Sequence, residues 1–181
     1  MSSRLVPSLL PHRDSTMKIL FAHGLESGPI GRKSQALIDA GYDLHAPDCR
    51  GKDLAQRVAE LLDAIVQIEP PPLLVGSSFG GIAGLVAAIM AADRGVLIPG
   101  LVLCAPALMR RPPPGTVDAL RCPAPTVVIH GTRDEIIPIE VSREFAREHG
   151  AELREVDDDH RLAGSGLDAI MAAVAERADP S

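Results

Sequence analysis

The sequence predicts an α/β protein: a mostly parallel sheet of about six strands with helices on both faces. Three observations carry this. Short apolar runs such as Leu73–Val75, Leu101–Cys104 and Thr126–His130 lack the in/out alternation of a half-exposed sheet. Strands of that kind are covered on both faces, as parallel strands are. Segments with apolar residues at helical spacing separate the runs, and this strand–helix alternation is what parallel crossovers require. Finally, an apolar run passes through Gly76-Ser77-Ser78-Phe79-Gly80 directly into the helical pattern Ile82–Met90. That is a strand turning sharply into a helix.

Taken in order, residues 1–16 show no period and contain two Pro, and are expected to be a flexible N-terminal tail. Residues 17–181 are expected to form a single domain. Its first strand is Met17–His23, which makes Met17 a candidate translation start; removal of 1–16 should leave folding and activity intact. Gly24–Pro29 is a loop. Ser27 and Pro29 suit a helix start, and that helix runs to about Ala40, stopped by Gly41. Tyr42–Ala46 is a strand and Cys49–Lys52 a loop. Asp53–Ile68 is an amphipathic helix with Leu54, Val58, Leu61, Leu62 and Ile65 on its apolar stripe, ended by Pro70-Pro71-Pro72. Beyond the central stretch come the strand Leu101–Cys104 and a Pro-rich connection, Pro106–Pro125. The strand Thr126–His130 and a helix from about Pro138 to His149 follow. A short strand, Ala151–Val156, and a terminal helix, Gly166–Arg177, close the chain. No internal repeat is visible.

Composition narrows the function classes. A 181-residue chain that is 46% hydrophobic can bury a sizeable core. Aromatics make up only 2%, with no Trp, which argues against a base-stacking platform. The net charge of −6 without a basic cluster argues against nucleic acid and anionic membranes as partners. Cys49, Cys104 and Cys122 show no C-x-x-C spacing, so reduced thiols and a cytoplasmic setting are expected. No apolar run approaches the ~20 residues of a membrane span. Leu5–Leu10 is too short and too interrupted by Pro for a signal-peptide core. The oligomeric state is not legible.

The chemistry follows from the edge where loops leave the carboxyl ends of parallel strands, the place where such sheets bind ligands. Gly76-Ser77-Ser78-Phe79-Gly80 fits G-x-S-x-G, with Ser78 at the apex of a strained turn and its hydroxyl in the open. A Cβ at Gly76 or Gly80 would collide across that turn. Ser77 occupies a variable position and should point elsewhere. Asp134 lies in the loop after Thr126–His130, where a carboxylate could orient an imidazole or simply cap the next helix. His160 follows the last strand, and Asp157, Asp158 or Asp159 could orient it instead of Asp134. His23 and His130 each precede a Gly at a strand end and should brace loops. No metal-ligand spacing is present, and no metal or cofactor is expected. Cys104 should be a core thiol. Acyl transfer needs N–H groups aimed at a developing oxyanion. The N–H of Phe79 and that of Leu25, in a loop where Gly24 permits close approach, are the candidates.

These segments, FAHGLESGP from Phe21 to Pro29, GSSFGG from Gly76 to Gly81, HGTRD from His130 to Asp134, and Asp159-His160, resemble the α/β-hydrolase superfamily over residues 17 to about 178. The HG loop, the Lys/Ser-rich helix start and the small size resemble compact bacterial esterases of the YqiA type, and also the mitochondrial acyl-glucuronide esterase and depalmitoylase relatives. The resemblance implies an α/β-hydrolase fold and a serine hydrolase acting on small esters or thioesters. Ser78 would be the nucleophile, His160 the base and acid, Asp134 its orienter, and Leu25 and Phe79 the oxyanion-hole donors.

Many α/β hydrolases carry a helical lid after the strand matching Leu101–Cys104. The twenty residues of Pro106–Pro125, with Pro112-Pro113-Pro114, allow a loop or one short helix, so minimal or no cap is expected. Leu108, Met109 and Leu120 either line an acyl pocket or cover the sheet edge. Arg110, Arg111 and Arg133 could favour an anionic substrate or be solvated surface. The alternatives are a non-catalytic binding protein of the same fold, or an acyltransferase or peptidase using the same three residues.

Overall fold

Alternating apolar registers explain how the sheet is covered. Leu20, Leu74, Leu103 and Val128 point to one face, while Ile19, Phe21, Leu73, Val75, Val102, Val127 and Ile129 point to the other. A computed structural model describes residues 17–178; the tail expected over 1–16 lies outside the described residues. Six strands form one sheet: β1 (Lys18–Ala22), β2 (Asp43–His45), β3 (Leu73–Ser77), β4 (Leu101–Cys104), β5 (Thr126–Gly131) and β6 (Glu152–Val156). Their order is β2-β1-β3-β4-β5-β6 and every pairing is parallel.

Five helices cover it: α1 (Arg32–Asp39), α2 (Leu54–Gln67), α3 (Phe79–Asp93), α4 (Ile139–His149) and α5 (Ser165–Ala178). Leu37 of α1 and Ile170, Ala173 and Val174 of α5 pack on one face. Apolar residues of α2, α3 and α4 pack on the other. Helix α3 packs against β3 on one side and α2 on another, and its residues from Gly80 to Ile89 are all buried. That is why its apolar pattern runs all the way round.

Most boundaries fall within a residue of expectation, and two helix starts differ by about three residues or more. Helix α1 starts at Arg32, not near Ser27 or Pro29. The Ser27 hydroxyl turns back to the Gly24 carbonyl. Gly31 takes the N-cap position, its N–H donating to Ser34 Oγ at 2.8 Å. Helix α3 begins at Phe79, three residues before the apolar pattern, because Ser78 itself makes the turn. Between β4 and β5, residues 105–125 form turns and no helix, so no helical cap lies over the sheet there.

The chain leaves β1 toward β2 on one side and returns to β3 on the other. The crevice at such a reversal is the natural ligand site of an open parallel sheet. The loops at its mouth follow β1 and β3 and contain Gly24-Leu25 and Ser78. Among the described residues no helix is long and apolar enough to cross a membrane.

Candidate active site

Ser78 sits at φ 53°, ψ −115°, a backbone conformation that costs a non-glycine residue on the order of 1–3 kcal/mol. Three hydrogen bonds hold it there. Its N–H donates to the Cys104 carbonyl at 2.9 Å, and its own carbonyl accepts from Gly81 N–H at 2.9 Å and Ala107 N–H at 3.0 Å. Gly76 and Gly80 permit the approach. A Cβ on Gly76 would lie 2.9 Å from Gly81 Cα, and one on Gly80 would overlap the Ala22 carbonyl of β1.

The structure brings Ser78, His160 and Asp134 together although 82 and 26 positions separate them. Ser78 Oγ lies 3.1 Å from His160 Nε2, and His160 Nδ1 lies 2.8 Å from Asp134 Oδ2. His160 reaches Ser78 rather than Ser77. The Asp134 carboxylate is fully enclosed. Its Oδ1 accepts from the N–H groups of Ile136 and Ile137, each at 2.8 Å, and its Oδ2 accepts from His160, with His130 Nε2 3.1 Å from the same oxygen. Burial pushes the carboxyl up, but the Ile137 N–H, the His160 imidazole and the Ile136 N–H outweigh it and hold Asp134 below its usual range. An ionised Asp134 accepts, so His160 carries its proton on Nδ1 and offers the Nε2 lone pair to the Ser78 hydroxyl.

The three neighbouring aspartates do other work. Asp157 pairs with Arg133 at 2.6 Å, and Asp159 accepts from Arg161 N–H. Asp158 is buried and ties the His160 loop down, accepting from the N–H groups of Gly164 and Gly166, each at 2.9 Å. None of them orients His160.

Gly24 abuts the turn: a Cβ there would lie 3.7 Å from Ser78 Cβ, and Leu25 and Phe79 line the same cavity. His23 and His130 both brace loops. His23 Nε2 accepts from Cys49 N–H at 2.9 Å, so Nδ1 carries the proton and donates to the Gly24 carbonyl at 2.8 Å. His130 bridges Ser142 Oγ at 2.7 Å and the Ile137 carbonyl at 3.0 Å. Among the described residues no cluster of His, Cys, Asp or Glu is arranged to hold a metal. Burial pushes the Cys104 thiol up to about 12, which leaves it inert.

Arg57 escaped the sequence reading. It is 1% exposed. It donates to the His23 carbonyl at 2.9 Å and the Gly24 carbonyl at 3.4 Å, and its guanidinium lies 5.1 Å from the Phe79 ring. One side chain thus clasps the loop before Leu25 and the residue after Ser78. Its signal was a charge three residues after Leu54 and four before Leu61, on the buried stripe of α2.

Burial holds the His23 imidazole below the histidine range; the Gly24 carbonyl opposes this and Arg57 reinforces it. The unfolded chain takes up a proton near pH 6.5 while the folded one resists it. His23's contribution to stability is therefore complete above that pH and lost as pH falls below it. Asp134, also held low, adds a further loss below about pH 3.8. Melting temperatures should accordingly fall as pH drops from about 7 to 5; a flat profile there would contradict the role of His23.

A cavity of about 780 Å³ opens at the Ser78 hydroxyl. The exposed apolar side chains Leu25, Met109 and Ile136 line it. Of Leu108, Met109 and Leu120, for which the sequence leaves pocket lining and covering the sheet edge both open, only Met109 lines it. Leu108 belongs to the core and Leu120 packs against it.

No family model matches the sequence, and no curated protein matches it. Solved structures do. A candidate hydrolase of the alpha/beta superfamily from Xanthomonas campestris pv. campestris is 26% identical, over 91% of this chain and 98% of that one, with a TM-score of 0.72. The chain has the α/β-hydrolase fold. Two further solved structures share this fold at 18% identity. One is the monoacylglycerol lipase of Paleococcus ferrophilus, matched over 88% and 94% of the two chains at a TM-score of 0.66. Another is alpha/beta hydrolase domain-containing protein 10 from mouse, over 90% and 89% at 0.69.

Proposed function

We propose that this α/β hydrolase cleaves carboxylic ester or thioester bonds of small substrates through an acyl-enzyme intermediate. The observation that carries the reading is the hydrogen-bonded chain from Ser78 through His160 to Asp134, opening onto the cavity at the β1–β3 reversal. Ser78 Oγ attacks the acyl carbonyl while His160 Nε2 takes its proton. Asp134 keeps the imidazole in the right tautomer and stabilises its charged form. The N–H groups of Phe79 and Leu25 hold the oxyanion, a contribution of about 3 kcal/mol per donor in comparable sites. His160 then protonates the departing alcohol or thiol. Water repeats the sequence on the acyl-enzyme and releases the acid. No cofactor takes part.

Leu25, Met109 and Ile136 offer the acyl group an apolar wall. With turns instead of a helical cap above the sheet, the site suits short or exposed acyl groups better than long lipid chains. Poorly acidic buried thiols fit a cytoplasmic setting.

Labelling by a fluorophosphonate tests the reading. Wild type should be labelled and Ser78→Ala should not. Label retained by the variant would move the nucleophile elsewhere, and an unlabelled wild type would favour a binding protein of this fold.

A further inference from the structure

We propose that the ester cleaved at Ser78 carries an anionic group, a carboxylate or phosphate, that is held at the cavity rim by Arg32, Lys33, Arg110 and Arg161. This rests on the ester-hydrolase reading and specifies its substrate. The four cations line the one cavity into which Ser78 opens, and the only carboxylate lining it is Glu26. Among the described residues, none of the four has a carboxylate within 4.0 Å, whereas most cations elsewhere, Arg50, Lys52, Arg121, Arg133, Arg143 and Arg154 among them, are paired and only Lys18, Arg94 and Arg111 on the rest of the surface are not. The chain as a whole is acidic, at −6. A positive rim is therefore not a by-product of a basic surface.

Local electrostatics also oppose the arrangement. Arg32 and Lys33 occupy the first turn of α1, which contains no acidic residue. A helix N-terminus disfavours cations and welcomes carboxylates, so helix stability does not explain them. Lys33 Nζ donates to the Arg161 carbonyl at 2.6 Å. That bond fixes one cation against the loop that carries His160, within the same cavity. In the same cavity, Leu25, Met109 and Ile136 supply an apolar wall. The cavity thus combines an apolar wall with a cationic rim, the complement of an acyl ester that bears a negative charge away from the scissile bond.

Two ester pairs test this. 4-Nitrophenyl hemisuccinate against 4-nitrophenyl butyrate places the charge on the acyl side. 4-Acetoxybenzoate against 4-acetoxybenzamide places it on the leaving group. The quantity read is the anionic-to-neutral ratio of kcat/KM in wild type and in Arg32→Glu/Arg110→Glu. Differences in intrinsic ester reactivity, or in the fraction of folded enzyme, cancel between the two proteins. For at least one pair the ratio should fall roughly tenfold or more in the variant, and the wild-type ratio should fall as salt rises from about 20 to 500 mM. Ratios unchanged by both charge reversal and salt overturn the inference while leaving the esterase standing. A wild type that cleaves neither neutral ester, and takes no fluorophosphonate, removes the esterase reading and the inference with it.

Discussion

Asp134→Asn lowers kcat on a neutral ester by about four orders of magnitude, the loss known when a triad carboxylate becomes an amide. The geometry explains why Asn cannot substitute. The Asp134 carboxylate accepts from three donors, two backbone N–H groups at one oxygen and His160 at the other, and His130 Nε2, whose own bond goes to the Ile137 carbonyl, lies 3.1 Å from that second oxygen. In Asn the carbonyl oxygen must stay with the Ile136 and Ile137 N–H groups, because an NH2 there would face two donors. The amide NH2 then faces both histidines. His160 has to accept at Nδ1 and carry its proton on Nε2, where it points at Ser78 with no lone pair to offer. His130 Nε2 meets a donor as well and loses its fit between Ser142 and Ile137. The variant should therefore be less stable than wild type as well as slow. Steady-state rates and a thermal melt check both parts. Activity within tenfold of wild type would mean that Asp134 does not orient the base.

Gly80→Ala should be the most damaging single methyl in the described chain. A Cβ there overlaps the Ala22 carbonyl and lies 2.5 Å from the His23 carbonyl oxygen. Both are backbone atoms at the end of β1, so no side chain can swing aside. Overpacking costs of 1–3 kcal/mol assume that neighbours yield; here the N-terminus of α3 must move away from β1, and about 3 kcal/mol or more is expected. In a chain of this size that lowers the melting temperature by roughly 10 °C. The displacement also separates Phe79 from the Gly24-Leu25 loop, so the folded fraction should label slowly with fluorophosphonate. Gly28→Ala is the control: its Cβ would meet nothing nearer than Arg50 Cδ at 3.9 Å. Equal melts for the two variants would refute the close approach of α3 and β1.

The four inner strands were readable because burial on both faces writes itself as apolar runs, whereas the edge strands β2 and β6 are partly exposed and carry no such run. Ser78, Asp134 and His160 were readable for a different reason. Each follows its own strand at the same edge, and type and order together leave little room for chance. What stayed hidden depended on contacts between distant loops. Three aspartates beside His160 were chemically equivalent in the sequence. Only the fold shows that Asp157 meets Arg133, that Asp158 pins the loop and that Asp134 meets the imidazole. The start of α1 was misplaced because Ser27 looks like a cap until its hydroxyl is seen bonded backward to Gly24. The cationic rim drew on Arg32, Lys33 and Arg161 from α1 and the His160 loop, whereas Arg133, next to Asp134 in the chain, turned out to be paired elsewhere.

The single carbonyl of Ser78, shared by Gly81 and Ala107, works as a keystone. It joins the first turn of α3 to the start of the β4–β5 connection, and the Ser78 N–H ties the same residue to the end of β4. The turn is consequently tied to α3, to β4 and to the β4–β5 connection at once, and is not a loop that can open by itself. Breathing that opens the cavity must occur in the rim around this point, while Ser78 keeps its posture for as long as the sheet survives.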